Sequence, residues 1–419
     1  MNILWIVNII FPFPANILKM NNITSGGWLL GLYDELKKKE DINLAIATVY
    51  HGKKLRKIID NKTVYYLLPY NGYIKKQKKL QKNWQLINED FKPDLVHIHG
   101  SEYPYGLAFQ KACPRIKNIV SIQGLLSVYH NYYIPNIKYD DIIKNFSFRC
   151  IIKGNMIKEQ KMIEKKSKYE KETLKKTNAI IGRTTWDYAN SLAITGTNKY
   201  FFCNENLRKI FYGKSWNINN IEEKTIFVSN SEYPPKGFHI MIEALNILRK
   251  KYKNIKVYVA GKSIFDTKAF IDKIKFSNYQ KYILNLIKKY DLFDNIIFTG
   301  PLNENQVLEL LLKSNVYVQT SSIENSSNAL GEAMLIGMPC IASDVGGTSD
   351  LLKNKEEGYL YPFGDYGLLA FYISEIFENS KNAVNMGANA KKHANETYNY
   401  KRNTKEICDI YLKVINGKE

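Results

Sequence analysis

The sequence predicts an α/β fold built from two doubly wound, Rossmann-like halves. Three observations lead there. The chain has 419 residues, more than one ordinary hydrophobic core organises. Near-continuous apolar runs of strand length alternate with amphipathic helical patterns, the signature of parallel sheets covered on both faces. The runs also fall into two sets, separated by the polar stretch GKSWNINNIEEK (213–224).

The first set opens with ILWIVNII (3–10), read as a buried strand leaving through a Pro-rich loop at Pro12 and Pro14. It lacks a basic start and carries Asn8, so neither a signal peptide nor a spanning helix is expected. NLAIATV (43–49), TVYYLL (63–68), LVHIH (95–99), NIVSI (118–122) and AIIG (179–182) follow. The second set is TIFVS (225–229), KVYVA (256–260), NIIFTG (295–300), VYVQT (316–320) and PCIAS (339–343). HIMIEALNILRKKY (239–252) and ENQVLELLLKS (304–314) are amphipathic helices between them. The expected organisation is a first domain over 1–212, a linker over 213–224, and a second domain over 225–397. The helical stretch within 398–419 is expected to return to the first domain.

Composition bounds the function. With 45% hydrophobic and 13% aromatic residues the chain is globular. Its five cysteines are scattered without CxxC spacing, which points to a reducing compartment and away from zinc or a disulfide framework. The net charge of +20 calls for an anionic partner. Between His51 and Lys82 there are ten Lys or Arg and one acid, Asp60, with Tyr65, Tyr66, Tyr70, Tyr73 and Trp84 in or beside the run. Residues 145–176 are also basic, with apolar helical spacing through Phe148, Ile152, Met156, Ile157 and Ile163. Such runs arise equally as solvated lysine faces. As functional surfaces, the apolar neighbours favour an anionic membrane over nucleic acid, for which no motif is present.

The densest chemistry lies in SSIENSSNALGEAMLIGMPCIASDVGG (321–347). A strand ends, a Ser/Asn loop follows, and NALGEAMLIG reads as a helix stopped by Gly337 before Pro339. The backbone N–H groups of Ser327, Asn328, Ala329 and Leu330 open that helix, a natural phosphate site reinforced by the helix dipole. Glu332 lies about one turn in and can accept from vicinal hydroxyls such as those of a ribose, while Glu324, on the strand side, can do so for a second sugar. A first-turn carboxylate is also common in helices with no ligand at all.

This stretch, two acids with seven residues between them, resembles the donor-site signature of retaining glycosyltransferases of family 4, which have the GT-B fold. The resemblance continues in Pro234-Pro235-Lys236-Gly237-Phe238, in VYVAGKS, in IIFTGPL and in GYLYPFGD (358–365). In the first half it rests on Thr24-Ser25-Gly26-Gly27-Trp28 and DLVHIHG (94–100). It implies two domains facing across a cleft. It also implies that Glu332 holds the donor ribose, that Glu324 contacts the transferred sugar, and that Lys236 neutralises the diphosphate. Gly26 and Gly27 would let backbone approach the phosphates, or simply form a tight turn into a helix. His99 would contact donor or acceptor, though strand histidines are more often merely packed.

Three departures from the family pattern stand out. Asn230 occupies the place of a diphosphate-gripping arginine, and Arg183 or Arg208 is a candidate to replace it. Gln123 stands where a cleft histidine is usual and cannot serve as a base near neutral pH. Arg183-Thr184 replaces the usual polar turn after AIIG. No DxD spacing occurs, which fits transfer without a metal. The resemblance thus implies sugar transfer, with retention and without a cofactor, from a nucleotide-sugar donor, UDP-sugar ahead of GDP-sugar. The acceptor would be a glycan or lipid-linked oligosaccharide in capsule-like surface polysaccharide synthesis. The expected location is cytoplasmic, peripheral at the inner face of the plasma membrane. Rival readings are an epimerase or hydrolase on the same fold, disfavoured by the lack of an obvious second carboxylate pair in the first half, and a degenerate basic binding protein. A dinucleotide oxidoreductase is disfavoured because SGGWLLG lacks G-x-G-x-x-G spacing.

Overall fold

The structure, a computed structural model, describes residues 1–20, 26–70, 77–265 and 276–417, with 77 and 78 as backbone only. It divides into two compact units, Met1–Val128 with Glu164–Asn206 and Tyr398–Glu419, and Tyr129–Ile163 with Leu207–Thr397.

The first unit is built on an eight-stranded sheet of β1 (Asn2–Ile6), β2 (Asn43–Tyr50), β3 (Arg56–Asp60), β4 (Thr63–Pro69), β5 (Leu95–His99), β6 (Asn118–Ser121), β7 (Ala179–Gly182) and β8 (Tyr200–Phe202). Its order is β3-β4-β2-β1-β5-β6-β7-β8, parallel throughout except for the β3–β4 hairpin, whose turn places Asn61 at φ 51°. The apolar run in β1 is continuous because both of its faces are covered. Leu4 and Ile6 pack with Trp84 and Phe109 on one side, and Ile3 and Trp5 with Ile407 and Tyr411 on the other.

The second unit carries a six-stranded, wholly parallel sheet. Its strands are β9 (Thr225–Val228), β10 (Lys256–Val259), β11 (Ile296–Phe298), β12 (Val316–Gln319), β13 (Cys340–Ser343) and β14 (Tyr359–Tyr361), in the order β11-β10-β9-β12-β13-β14. Helix Phe238–Leu248 is apolar nearly all round and lies in its core.

Several local expectations change. The Pro-rich exit from β1 is a short helix, Pro12–Ile17, because proline fits a first helical turn, where its missing N–H costs nothing. Residues 213–224 are stitched into the second unit: Trp216 Nε1 donates to Ser314 O at 2.8 Å, and Glu222 N to Lys313 O at 2.8 Å. Residues 129–163, read from sequence with the first half, cluster with the second unit. Ser147 Oγ donates to Phe276 O at 2.6 Å, and Asn278 Nδ2 donates to Ile142 O and Asn145 O, each at 3.0 Å. The spacing through 145–176 is split at Gly154 (φ 95°), where helix Phe148–Lys153 ends before helix Met156–Lys176 begins. Phe148 and Ile152 consequently face solvent while Met156 is buried.

The terminal helix Tyr400–Asn416 packs Ile407, Ile410, Tyr411 and Val414 into the first unit, and the Tyr411 hydroxyl is its deepest polar contact. Tyr411 OH lies 3.0 Å from Trp5 Nε1 and 2.7 Å from His97 Nδ1, and His97 Nε2 lies 2.6 Å from Ser121 Oγ. Indole can only donate, so the Tyr411 oxygen accepts there and its hydrogen is left for His97. Burial pushes the His97 pKa down to about 3, so this chain of bonds is neutral. Tyr411→Phe keeps the ring and removes the partner of two buried groups. It is expected to cost about 1–3 kcal/mol, read as a lower midpoint in chemical denaturation with the m-value unchanged.

Candidate functional site

The candidate site lies in the second unit, where the turn after β9 meets the loop after β12. Pro234–Lys236 form a single 3-10 turn, and Gly237 then takes φ 63° to start helix Phe238–Leu248. A Cβ at Gly237 would stand 1.8 Å from Thr320 O, so only glycine fits. Thr320 Oγ1 donates to Lys236 O at 2.8 Å, and Ser322 N to Pro235 O at 2.8 Å. These bonds clamp turn to loop and set the Lys236 ammonium on Glu324 Oε1, which also accepts from Ser321 Oγ at 2.7 Å. Burial alone would lower the Lys236 pKa, but the facing Glu324 carboxylate raises it, so the ammonium stays charged.

Helix Asn328–Leu335 follows, with Ser327 as its N-cap. Ser327 Oγ accepts from Leu330 N at 3.4 Å, so one N–H expected to face a phosphate is already capped. Glu332 is buried in this helix and held bidentately. Arg208 Nε donates to its Oε1 and Nη2 to its Oε2, each at 2.6 Å. Burial pushes the Glu332 carboxyl above its ordinary value, and Arg208 offsets part of that. The guanidinium in turn lies over the Phe211 ring, 4.8 Å from its centroid. Each signature acid therefore has its own cation, and the sequence showed neither pairing. Arg208, considered as a replacement phosphate contact, sits on Glu332 instead. Both side-chain polar atoms of Gln319, at the end of β12, are buried without a partner.

The first-unit candidates fare differently. Gly26 is left-handed (φ 83°) and caps helix Gly27–Leu36, while Thr24 and Ser25 lie outside the described residues. His99 is buried between Trp5 and Trp28 at ring-centroid distances of 4.6 and 5.7 Å, with its ring 3.7 Å from that of His97. Neither of its nitrogens has a partner, and it borders a cavity of about 30 Å³, room for one water. Burial and the neighbouring His97 hold its pKa well below the ordinary value, so the ring is neutral. Arg183 is also buried. Its Nη2 donates to Ile122 O at 3.0 Å and Nη1 pairs with Glu205, so its guanidinium is engaged within its own unit. Gln123 Nε2 donates to the same Glu205 at 2.6 Å.

The sequence shows no obvious carboxylate pair in this half, yet the structure gathers three acids there. Glu102 Oε1 accepts from Gly124 N at 3.1 Å, and Glu170 accepts from Leu126 N and Ser127 N at 2.6 and 2.9 Å. With Glu205 on Gln123, three acids surround the loop after β6. Burial pushes the Glu102 carboxyl up to about 7. Each lies far in sequence from the loop it serves, and no local spacing announces them. Among the described residues no three His, Cys, Asp or Glu gather as metal ligands.

Two parallel-sheet units of this kind make the GT-B glycosyltransferase fold. Residues 211–393, which contain the Lys236–Glu324 and Glu332 geometry, match the family model "Glycosyl transferases group 1". Bacillus anthracis N-acetyl-alpha-D-glucosaminyl L-malate synthase is 30% identical over 140 residues, covering 32% of this chain and 36% of that protein. The capsular polysaccharide biosynthesis glycosyltransferase CapM of Staphylococcus aureus is 24% identical over 186 residues, covering 44% of this chain and 45% of CapM. The chain thus spans less than half the length of each of these relatives. Among solved structures, Anabaena Alr3699/HepE in complex with UDP-glucose superposes with a TM-score of 0.69 at 15% identity, over 99% of this chain and 100% of that one. At that identity the likeness shows the fold.

Arg208→Ala would leave a buried carboxylate without its cation. It is expected to destabilise the protein by about 3–5 kcal/mol, and adding Glu332→Gln should recover part of the loss, as read by chemical denaturation of the single and double variants.

Proposed function

We propose that the protein is a retaining glycosyltransferase that moves a sugar from a UDP-sugar to a glycan or lipid-linked acceptor in surface polysaccharide synthesis. The observation that carries this is the pairing of both signature acids with cations around one loop and helix start. Resting ion pairs of this kind suit a donor that brings its own charges. An incoming diphosphate would take Lys236 from Glu324, and the released carboxylate would accept from hydroxyls of the transferred sugar. Glu332 would stay fixed by Arg208, with lone pairs left for the ribose. The N–H groups of Asn328 and Ala329 and the helix dipole would add to the positive field on the phosphates. Lys236 and the helix start supply the neutralisation, so the reading needs no metal. The bond from the anomeric carbon to the diphosphate oxygen breaks as the acceptor oxygen bonds to the same face. The acceptor proton passes to the departing diphosphate. UDP is favoured over GDP because the HepE complex contains UDP-glucose, and a capsule-type acceptor because CapM is named for that synthesis.

Ligand binding to the folded state raises the melting temperature by mass action. UDP with a chelator present is expected to stabilise the wild type by several degrees, GDP less, and neither to stabilise Lys236→Ala or Glu332→Ala. Absence of any UDP effect, with or without metal, would leave the binding-protein reading in its place.

We propose further that the protein binds an anionic membrane surface, an expectation drawn from the basic first half, through residues 139–153, which belong to the second unit. Tyr139, Ile143, Phe148, Ile151 and Ile152 are 54–69% exposed, among Lys144, Arg149 and Lys153. Exposed apolar side chains beside cations suit the head-group region of an anionic bilayer. No described helix is long and apolar enough to cross one. The protein is expected to sediment with phosphatidylglycerol vesicles and not with phosphatidylcholine vesicles. Ile143→Asp, Ile151→Asp and Ile152→Asp together should abolish sedimentation while leaving UDP stabilisation intact.

A further inference from the structure

The first unit contains a cavity of about 740 Å³ that the donor chemistry does not use. It opens at the carboxyl ends of parallel strands β1, β2 and β4, where open α/β sheets take their ligands. One part of its wall is apolar: Ile10, Leu18, Met20 and Leu55. The other part is cationic, with Lys53, Lys54 and Arg56 in one turn of chain and His51 beside them. Among the described residues no acid lines it and no carboxylate pairs with those three cations. The neighbouring Lys57, outside the cavity, shows the ordinary alternative by pairing with Asp90 at 2.6 Å.

The wall is organised. Tyr50 OH donates to Lys54 O at 2.5 Å, Gly52 N and Tyr70 N both donate to Tyr50 O at 3.0 Å, and the Arg56 guanidinium lies 5.9 Å from the Tyr50 ring centroid. Tyr50 thus pins the basic segment along one side of the space. A cavity of this size is within the range of small-molecule sites and far beyond a packing defect.

We infer that this cavity binds an amphiphile whose hydrocarbon chain lies on the apolar wall and whose phosphate or diphosphate head sits among Lys53, Lys54 and Arg56. Three cations within four positions exceed what a single carboxylate would balance, and a bare anion would leave the apolar wall wet. Resting on the transferase reading, the inference specifies the acceptor as lipid-linked through phosphate. The binding itself stands without that reading.

The test uses the full chain and calorimetric titration with farnesyl diphosphate, farnesol, inorganic pyrophosphate and dihexanoyl phosphatidylglycerol. At least one phosphate-headed amphiphile is expected to bind tenfold or more tighter than both farnesol and pyrophosphate, and the tighter of the two names the source of the head group. Lys53→Ala/Lys54→Ala/Arg56→Ala, all at exposed positions, and Leu18→Trp, which fills the apolar side, should each weaken it tenfold or more. Equal binding of pyrophosphate, equal binding of farnesol, unchanged affinity in the charge variant, or no binding at all would overturn the inference. UDP stabilisation measured on the same samples separates the two readings. Its loss with amphiphile binding intact sinks the transferase, and the reverse sinks only this site.

Discussion

The second unit is organised around a carboxylate that burial forbids to stand alone. Glu332 lies inside helix Asn328–Leu335, and a charge there is tolerated only with a partner of matching geometry. Arg208 is that partner, and its position decides more than electrostatics. The guanidinium must reach across from residue 208, so the segment that follows is drawn onto the second unit. Phe211 beneath the guanidinium and Trp216 bonded to Ser314 continue the same attachment. A stretch that composition suggested was a linker is instead bonded along the second unit.

The Lys236–Glu324 pair is held differently. It depends on backbone bonds between two turns and on a glycine whose missing side chain makes room for Thr320 O. One acid is therefore doubly bonded and buried, while the other shares a single ammonium near the surface. The two acids of one short stretch are thus held in unlike ways, which is what the proposed division of roles between them rests on.

Much of the fold was legible, and what escaped has a common cause. Central strands such as Leu95–His99 and Val316–Gln319 are buried on both faces and must be apolar. The strands that went unread, Arg56–Asp60, Tyr200–Phe202 and Tyr359–Tyr361, are sheet edges with one neighbour, so short or charged sequences suffice. At the site, Glu324, Glu332 and Lys236 were visible because loop, cap and helix lie close in sequence. The Arg208–Glu332 bond joins positions 124 apart and the Gln123–Glu205 bond positions 82 apart, distances at which no periodicity speaks. His99 was visible as a residue type, but its environment was not. Two tryptophans and a second histidine turn a reactive-looking side chain into a packed, neutral one.

The Tyr411 hydroxyl has a bearing on how the protein is made. A ribosome delivers Trp5 and His97 early, yet the side chain that satisfies both arrives about four hundred positions after the first of them. Until then that face of the first sheet has the cover of helix Gly27–Leu36 but lacks Ile407 and Tyr411, and the buried polar atoms of Trp5 and His97 lack their shared partner. The residues of the second unit, by contrast, have all emerged by Thr397. In vectorial synthesis the second unit is therefore complete before the first, which waits for helix Tyr400–Asn416.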